Sequence, residues 1–260
     1  MATSNKIRDV ALRNKGIYLK SFPEIKSIIM IVITGGSKGI GRALIEVFAK
    51  EGKNIASCSR STDSLLAMKK EVEAAHGVKV YVQTADLSVE EDTQTFIDFV
   101  KRIGEPIEAL VNNTGVFLPG SIHEEPAGNL RKMIDTNLYS AYDVTRGLIS
   151  NMMERKAGHI FNICSIASIV AYANGGSYAI SKHAMLGFSK CLREEMKSFG
   201  VRVTSVMPGA TYTNSWEGSG IEPARMSSSE DIAEAVLMCW KLSDRSVVED
   251  LVIRPQLGDL

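Results

Sequence analysis

The chain has 260 residues, with 30 Lys+Arg against 30 Asp+Glu, 45% hydrophobic and 23% charged residues. That composition belongs to a folded globular protein and excludes a disordered tail, a collagen or a disulfide-rich miniprotein. A formal net charge of zero and an isoelectric point near 6.9 give no electrostatic footprint for nucleic acid.

The first 27 residues stand apart, because Lys6, Arg8, Arg13, Lys15, Lys20 and Lys26 face only Asp9 and Glu24, a local net charge of +4. No apolar core follows these cations, which argues against a signal peptide. Residues 1–27 are expected to be a poorly ordered basic extension, with an amphipathic presequence as the alternative. The longest apolar run, Ile28 to Ile33, is far short of the ~20 residues of a membrane span. Cys58, Cys164, Cys191 and Cys239 show no Cys-x-x-Cys and no pairing with His at zinc-ligand spacing. This usage points to a reducing compartment, the cytoplasm, and to no metal.

From residue 28 onward, short β-branched runs alternate with longer stretches of helical period, the pattern of βαβ units and a parallel sheet. The expected strands are Ile28 to Ile33, Asn54 to Ser59, Val78 to Thr84, Ile107 to Asn112, His159 to Cys164, Val201 to Met207 and Val247 to Ile253. They fit one doubly wound seven-stranded sheet, an α/β Rossmann fold in one domain over residues 28–260. Ser88-Val89-Glu90-Glu91 reads as a capping box for the helix that ends before Gly104.

The first chemical signal is Thr34-Gly35-Gly36-Ser37-Lys38-Gly39-Ile40-Gly41, which follows the first strand and opens a helix. Glycines there allow a tight turn and bring backbone N–H groups and a helix N-terminus to a pyrophosphate. A dinucleotide fingerprint also expects an acid at the end of the second strand, to hold the adenosine ribose. Here that strand ends Cys58-Ser59-Arg60, and no carboxylate appears before Asp63. Arg60 and Lys38 instead offer cations to a 2′-phosphate, so the expected cofactor is NADPH/NADP rather than NADH.

The second signal is Ser165 after a strand, followed by Tyr178 and Lys182 on a helix. Positions i and i+4 share a helix face, so the ammonium can lie beside the phenol. A nearby cation is expected to draw the phenol's titration down toward neutral pH, making Tyr178 a general acid in carbonyl reduction and a base in reverse.

With these motifs in order, the chain resembles the short-chain dehydrogenase/reductase family in its single-domain branch, over about residues 28 to 253. Further motifs carry the resemblance: Asp86-Leu87, Asn112-Asn113-Thr114-Gly115, Asn137, and Pro208-Gly209 leading to Thr213. Lys38 stands where the larger-domain sister branch has glycine. The resemblance implies a catalytic tetrad of Asn137, Ser165, Tyr178 and Lys182. Ser165 would hold the substrate oxygen, Tyr178 donate the proton, Lys182 hold the nicotinamide ribose, and Asn137 anchor a water toward solvent. It implies cofactor contacts at Gly35, Ser37, Lys38, Gly39, Ile40, Gly41, Ser59, Arg60, Asp86, Leu87, Asn113, Gly115, Tyr178, Lys182, Pro208, Gly209, Thr211 and Thr213. Thr114 departs from the family's usual alanine.

Other residues carry plainer readings. His123, His159 and His183 are too scattered for a metal site. Cys164 is expected to be strand packing, and Arg131-Lys132 and Arg155-Lys156 to be solvated helix faces. Trp216 would sit in a lid over the substrate. The ending Val247 to Pro255, with Pro208 to Thr213 and Trp216, resembles bacterial sepiapterin-reductase and 3-hydroxy-acid-dehydrogenase relatives more than 3-oxoacyl carrier-protein reductases. The expected activity is NADPH-dependent reduction of a small-molecule ketone or aldehyde, with sepiapterin-type or 3-oxoacyl reduction as specific alternatives. A non-catalytic NADPH sensor or scaffold is the alternative of another class. The resemblance implies a homo-dimer or homo-tetramer.

Overall fold

A computed structural model of the chain describes residues 29–213, 216, 218 and 220–260. The expected basic extension, residues 1–27, lies outside the described residues, as does Ile28.

The β-branched runs form seven parallel strands: β1 (Met30–Thr34), β2 (Asn54–Ser59), β3 (Val80–Thr84), β4 (Ile107–Asn112), β5 (Gly158–Ile163), β6 (Val201–Pro208) and β7 (Asp250–Ile253). Their order is β3-β2-β1-β4-β5-β6-β7 in one sheet. The helices are α1 (Gly39–Lys50), α2 (Thr62–His76), α3 (Glu90–Ile103), α4 (Asn129–Ile134), α5 (Ser140–Arg155), α6 (Gly176–Met196) and α7 (Ser229–Lys241). The expected α/β Rossmann architecture is therefore present.

Alternation along the strands feeds two cores. Ile31 and Ile33 pack on one face with Leu44, Phe48, Ile232 and Val236, from α1 and α7. Met30 and Val32 pack on the other with Phe96, Val100, Val144 and Leu148, from α3 and α5. A strand buried on both faces must be apolar at every position, which explains the unbroken run of β1. Strand order reverses between β1 and β4, where such sheets leave a crevice beyond their carboxyl ends.

The structure corrects some expectations. Strands β3 and β7 start later than read from sequence, since Val78 and Val248 pack against the core without entering the ladder. The capping box before α3 does not form: Val89 is the N-cap and offers no side-chain bond. The Ser88 hydroxyl and N–H instead donate to Asp86 Oδ1 at 2.7 and 3.0 Å, while Asp92 accepts from the Asp86 N–H at 2.8 Å. A local turn has captured the serine. Gly104 closes α3 in the left-handed region, φ 74°. Arg155 and Lys156 are exposed as expected, and the Arg155 guanidinium also donates to the Ile107 carbonyl. Arg131 and Lys132 are exposed as expected.

His159 on β5 is fully buried, with Nε2 2.8 Å from Thr204 Oγ1 and its ring stacked on Phe161 at 3.8 Å. Thr204 Oγ1 donates to the Val248 carbonyl, so the imidazole donates through Nε2, and Nδ1 has no partner. Burial first, then the Arg202 charge, holds its pKa well below the ordinary 6.5. The folded state keeps this ring neutral, while the unfolded chain takes up a proton below about pH 6.5. Stability is therefore lost as pH falls through that value, by about 1.4 kcal/mol per pH unit. Chemical denaturation should show a smaller penalty for His159→Gln at pH 5 than at pH 7. An equal penalty at both would contradict the neutral buried imidazole.

Candidate active site

The carboxyl ends of the strands border a cleft of about 980 Å³. Its first wall is the turn from β1 into α1. Gly35 and Gly36 donate their N–H groups to the Cys58 carbonyl at 3.0 and 3.2 Å, tying the loop to β2. Gly35 and Gly39 adopt φ of 69° and 56°, where only glycine is unstrained. Lys38, the N-cap of α1, makes no side-chain cap bond, and the first turn holds no acid. The N-terminus thus presents unsatisfied donors and a positive dipole end, with Ser37, Lys38, Gly39 and Ile40 on the cleft.

Gly41 does not line the cleft. A Cβ there would lie 2.3 Å from the Gly35 carbonyl oxygen and 2.6 Å from Asn113 Nδ2, so its function is close packing. Asn113 knits the same corner, donating through Nδ2 to the carbonyls of Thr34 (2.9 Å) and Gly35 (3.1 Å). Thr34 Oγ1 accepts from the N–H groups of Asn113 and Thr114, each at 3.0 Å.

Beyond β2 and β3, Ser59, Arg60, Asp86 and Leu87 line the cleft. Arg60 is exposed. The Asp86 carboxyl is held below its usual value: burial opposes the shift, and the Ser88 hydrogen bonds with the charges of Arg60 and Lys132 outweigh it. Lys132, read from sequence as a solvated helix face, therefore adds its charge to this end of the cleft.

At the other end stand Ser165, Tyr178 and Lys182. Ser165 caps the turn Ile166–Ser168, its Oγ accepting from the Ala167 N–H at 3.1 Å while Ser168 Oγ accepts from the Ser165 N–H at 3.2 Å. The box orders Ser165, which lines the cleft together with Tyr178. Phe117 packs edge-on against the Tyr178 ring, centroids 4.9 Å apart. Lys182 is buried, and Nζ donates to the Ile163 carbonyl at 2.9 Å and lies 5.9 Å from the Tyr178 ring centre.

That geometry corrects the expectation of a phenol lowered by its lysine. The β5 carbonyl end takes the ammonium, and Tyr178 is instead pushed up by desolvation, against which the Ser165 hydrogen bond acts. Burial also lowers Lys182. Cys164 packs with Ala141, Met185, Leu186 and Met207, as expected of a strand cysteine, and burial pushes its thiol up to about 11.

Asn137 lies behind the wall, in the π-helical turn Asp135–Tyr139. Its side chain accepts from the Val116 N–H at 2.7 Å and donates to the Val116 carbonyl (3.0 Å) and Ser181 Oγ (2.9 Å). Gly115 separates it from Lys182: a Cβ on Gly115 would sit 3.3 Å from Asn137 Oδ1 and 3.6 Å from Lys182 Nζ. Pro208, Gly209, Thr211 and Thr213 complete the site, with Thr211 bridged to Ser227. Every other residue expected at the site lines the cleft, with Gly41 and Asn137 standing directly behind it.

A family model described as short chain dehydrogenase matches residues 29–222. The chain belongs to the short-chain dehydrogenase family. Among curated members of the family, the sepiapterin reductase of Chlorobaculum tepidum is 32% identical over 89% of this chain and 98% of its own length. The farnesol dehydrogenase of Aedes aegypti is 31% identical, covering 86% and 94%. Among solved dehydrogenases, the alcohol dehydrogenase of Thermococcus sibiricus in complex with 5-hydroxy-NADP superposes with a TM-score of 0.82 at 25% identity, over 89% and 99% of the two chains.

Several cleft residues escaped sequence reasoning. Phe117, Tyr172, Arg254, Asp259 and Leu260 line it, yet none stands in a motif with a spacing that announces chemistry. Trp216, expected in a lid, does reach the cleft. Among the described residues, no group of three or more His, Cys, Asp or Glu could hold a metal ion. Among them too, no helix is long and apolar enough to cross a membrane.

Gly41→Ala must displace backbone, so it should lower stability by about 1–3 kcal/mol, read by chemical denaturation. Gly187, exposed in α6 with nothing near its Cβ position, is the contrast. Its alanine variant should gain roughly 0.5–1 kcal/mol from helix propensity. Equal stability of the two variants would contradict the close-packing role of Gly41.

Proposed function

We propose that the chain is an NADPH-dependent carbonyl reductase that converts a ketone or aldehyde to the alcohol. The observation that carries this reading is the grouping of Ser165, Tyr178 and buried Lys182 at one end of a cleft whose other end is a glycine turn and an uncapped helix. The cleft residues fit a dinucleotide: the first turn of α1 offers N–H donors to a pyrophosphate, and Gly35 and Gly39 keep that wall free of side chains. Asp86 and Leu87 would hold the adenine, Asn113 and Gly115 the middle, and Pro208, Gly209, Thr211 and Thr213 the nicotinamide end.

NADPH is preferred over NADH because exposed Arg60 ends β2 where an acid would meet the ribose hydroxyls, with Lys38 across the turn. A 2′-phosphate gives the guanidinium a doubly charged, bidentate partner. The Thermococcus sibiricus neighbour was solved with an NADP derivative, and serine dehydrogenase, a TM-score 0.82 neighbour at 26% identity over 89% of this chain and 96% of its own, with NADP+.

The reduced nicotinamide, when bound, supplies the hydride to the carbonyl carbon. Ser165 holds the carbonyl oxygen, fixed for that task by its capping box. Tyr178 gives its proton to that oxygen as charge develops, and its desolvated phenol stays protonated, the form a donor needs. Lys182 binds the nicotinamide ribose and refills Tyr178 with a proton, along a path to solvent past Gly115 and Asn137. Asn137 serves by holding Val116 and Ser181 in place.

The substrate end favours a flat ring. Phe117, Tyr172 and Trp216 line it, and stacking on such faces selects aromatic or heterocyclic carbonyls over acyl thioesters. The likeness to a sepiapterin reductase supports the same choice. Exposed Tyr139, Tyr142 and Ile180, on and beside α5 and α6, support self-association through that face.

Tyr178→Phe should retain NADPH affinity within about twofold and lose at least roughly 10²-fold in kcat. Retained turnover would remove Tyr178 from the chemistry. Arg60→Asp should shift the ratio of kcat/KM for NADPH over NADH toward NADH by about tenfold or more, the loss of one charge-assisted pair. An unchanged ratio would refute the 2′-phosphate role.

A further inference from the structure

We propose that Arg225 is a positioning residue for substrate specificity, acting through the segment Pro255–Leu260 that it pins against the cleft. The proposal rests on the reductase reading above.

The chain leaves the sheet at Ile253, whose carbonyl accepts from the Gly209 N–H at 2.7 Å. It turns at Gly258, where φ is 84° and the N–H donates to the Pro255 carbonyl at 2.9 Å. It then returns to the cleft, so that Arg254, Asp259 and Leu260 share a wall with Tyr172 and Tyr178. Apolar burial does little to hold this excursion. Leu257 is 78% exposed and Leu260 53%, and a cavity of about 430 Å³ lies between Ala224–Ser227 and Ile253–Leu257. Pro255 alone of the segment is buried.

Polar bonds must therefore fix it, and one guanidinium supplies most of them. Arg225 donates to the carbonyls of Gly258 at 2.8 Å, Leu257 at 3.3 Å and Asp259 at 3.4 Å. A planar group with five fixed donors can gather three converging carbonyls, and a charged donor makes each bond stronger than a neutral one. Asp259 completes the tether, accepting from the Ala210 N–H (3.0 Å) and from Arg254 Nε (2.7 Å). Its carboxylate also lies against Gly209, where a Cβ would come within 2.1 Å of Oδ1. The turn after β6 and the segment after β7 are thus one unit.

Arg225 does not border the cleft. It occupies the turn Pro223–Arg225, between the stretch that carries Thr213 and Trp216 and the start of α7. A single side chain therefore fastens the far side of that stretch to the wall bearing Arg254 and Asp259. The Arg254–Asp259 ion pair lines the same cleft as the rings of Phe117, Tyr172 and Trp216. The Asp259 charge is felt at Tyr172, whose hydroxyl is pushed up to about 12 chiefly by burial, with Tyr178 and Asp259 adding to it. Loosening the wall changes where a substrate rests. The glycine turn, Arg60 and Asp86 on the dinucleotide side, and Ser165, Tyr178 and Lys182, have no hydrogen bond to Arg225 or to residues 255–260 that could be lost.

The test compares the wild-type chain with Arg225→Ala and Arg225→Lys on an aromatic aldehyde or ketone that the wild type reduces at saturating NADPH. For Arg225→Ala, KM should rise about tenfold or more, with kcat and the NADPH Kd held within about twofold. Arg225→Lys should recover part of the loss. Hydrogen exchange at residues 256–260 should accelerate in Arg225→Ala while β1 and β4 stay protected. Unchanged KM with accelerated exchange would overturn the specificity role. A parallel fall in kcat, NADPH affinity and Tm would overturn it also, as a general structural effect. Absence of turnover by the wild-type chain would instead remove the reductase reading, and this assignment with it.

Discussion

The separation of β1 from the strands beyond it is bridged at its open end by one threonine. Thr34 Oγ1 accepts from the N–H groups of both Asn113 and Thr114, while Asn113 Nδ2 returns to the carbonyls of Thr34 and Gly35. These groups lie where the strand order reverses, and without partners they would be backbone donors and acceptors stranded at the mouth of a crevice. Their mutual satisfaction holds the glycine turn and the β4 loop as facing walls. Gly41 is small because it packs into this corner, and Gly115 is small because Asn137 and Lys182 meet across it.

Burial sets the chemistry at the other end. Tyr178 and Lys182 are both displaced from their ordinary titration by desolvation, the phenol upward and the ammonium downward. A helix spacing of four places the two side chains on one face, but the direction each head group takes depends on its neighbours. The Ile163 carbonyl takes the ammonium, and the phenol stays on the cleft beside Ser165, with its ring edge-on against Phe117. The site thus holds a neutral donor beside the group that would bind the substrate oxygen.

Most of this was legible in the sequence because its determinants are local. The apolar run of β1, the left-handed glycines at 35 and 39, and the Tyr178/Lys182 spacing are each fixed by a few adjacent residues. Errors arose where a local rule met a tertiary competitor. Ser88 has the residue type and spacing of a helix cap, yet Asp86 captures it. The substrate wall was illegible for a different reason. Arg225 and Gly258 are 33 positions apart, and nothing in the composition of either segment signals that β6 and β7 bring them together.

The account is tested most directly by following the hydrogen that is transferred. The chain would be incubated with NADPH deuterated at the reactive nicotinamide carbon and a set of aromatic aldehydes, ketones and heterocyclic diketones. Mass spectrometry of the product alcohols would then locate the label. The account predicts one deuterium on the carbinol carbon of at least one product, with the hydroxyl proton from solvent and less of that product from NADH at equal concentration. Tight binding of NADPH without deuterium in any product would contradict the assignment of the cleft as a reductase site.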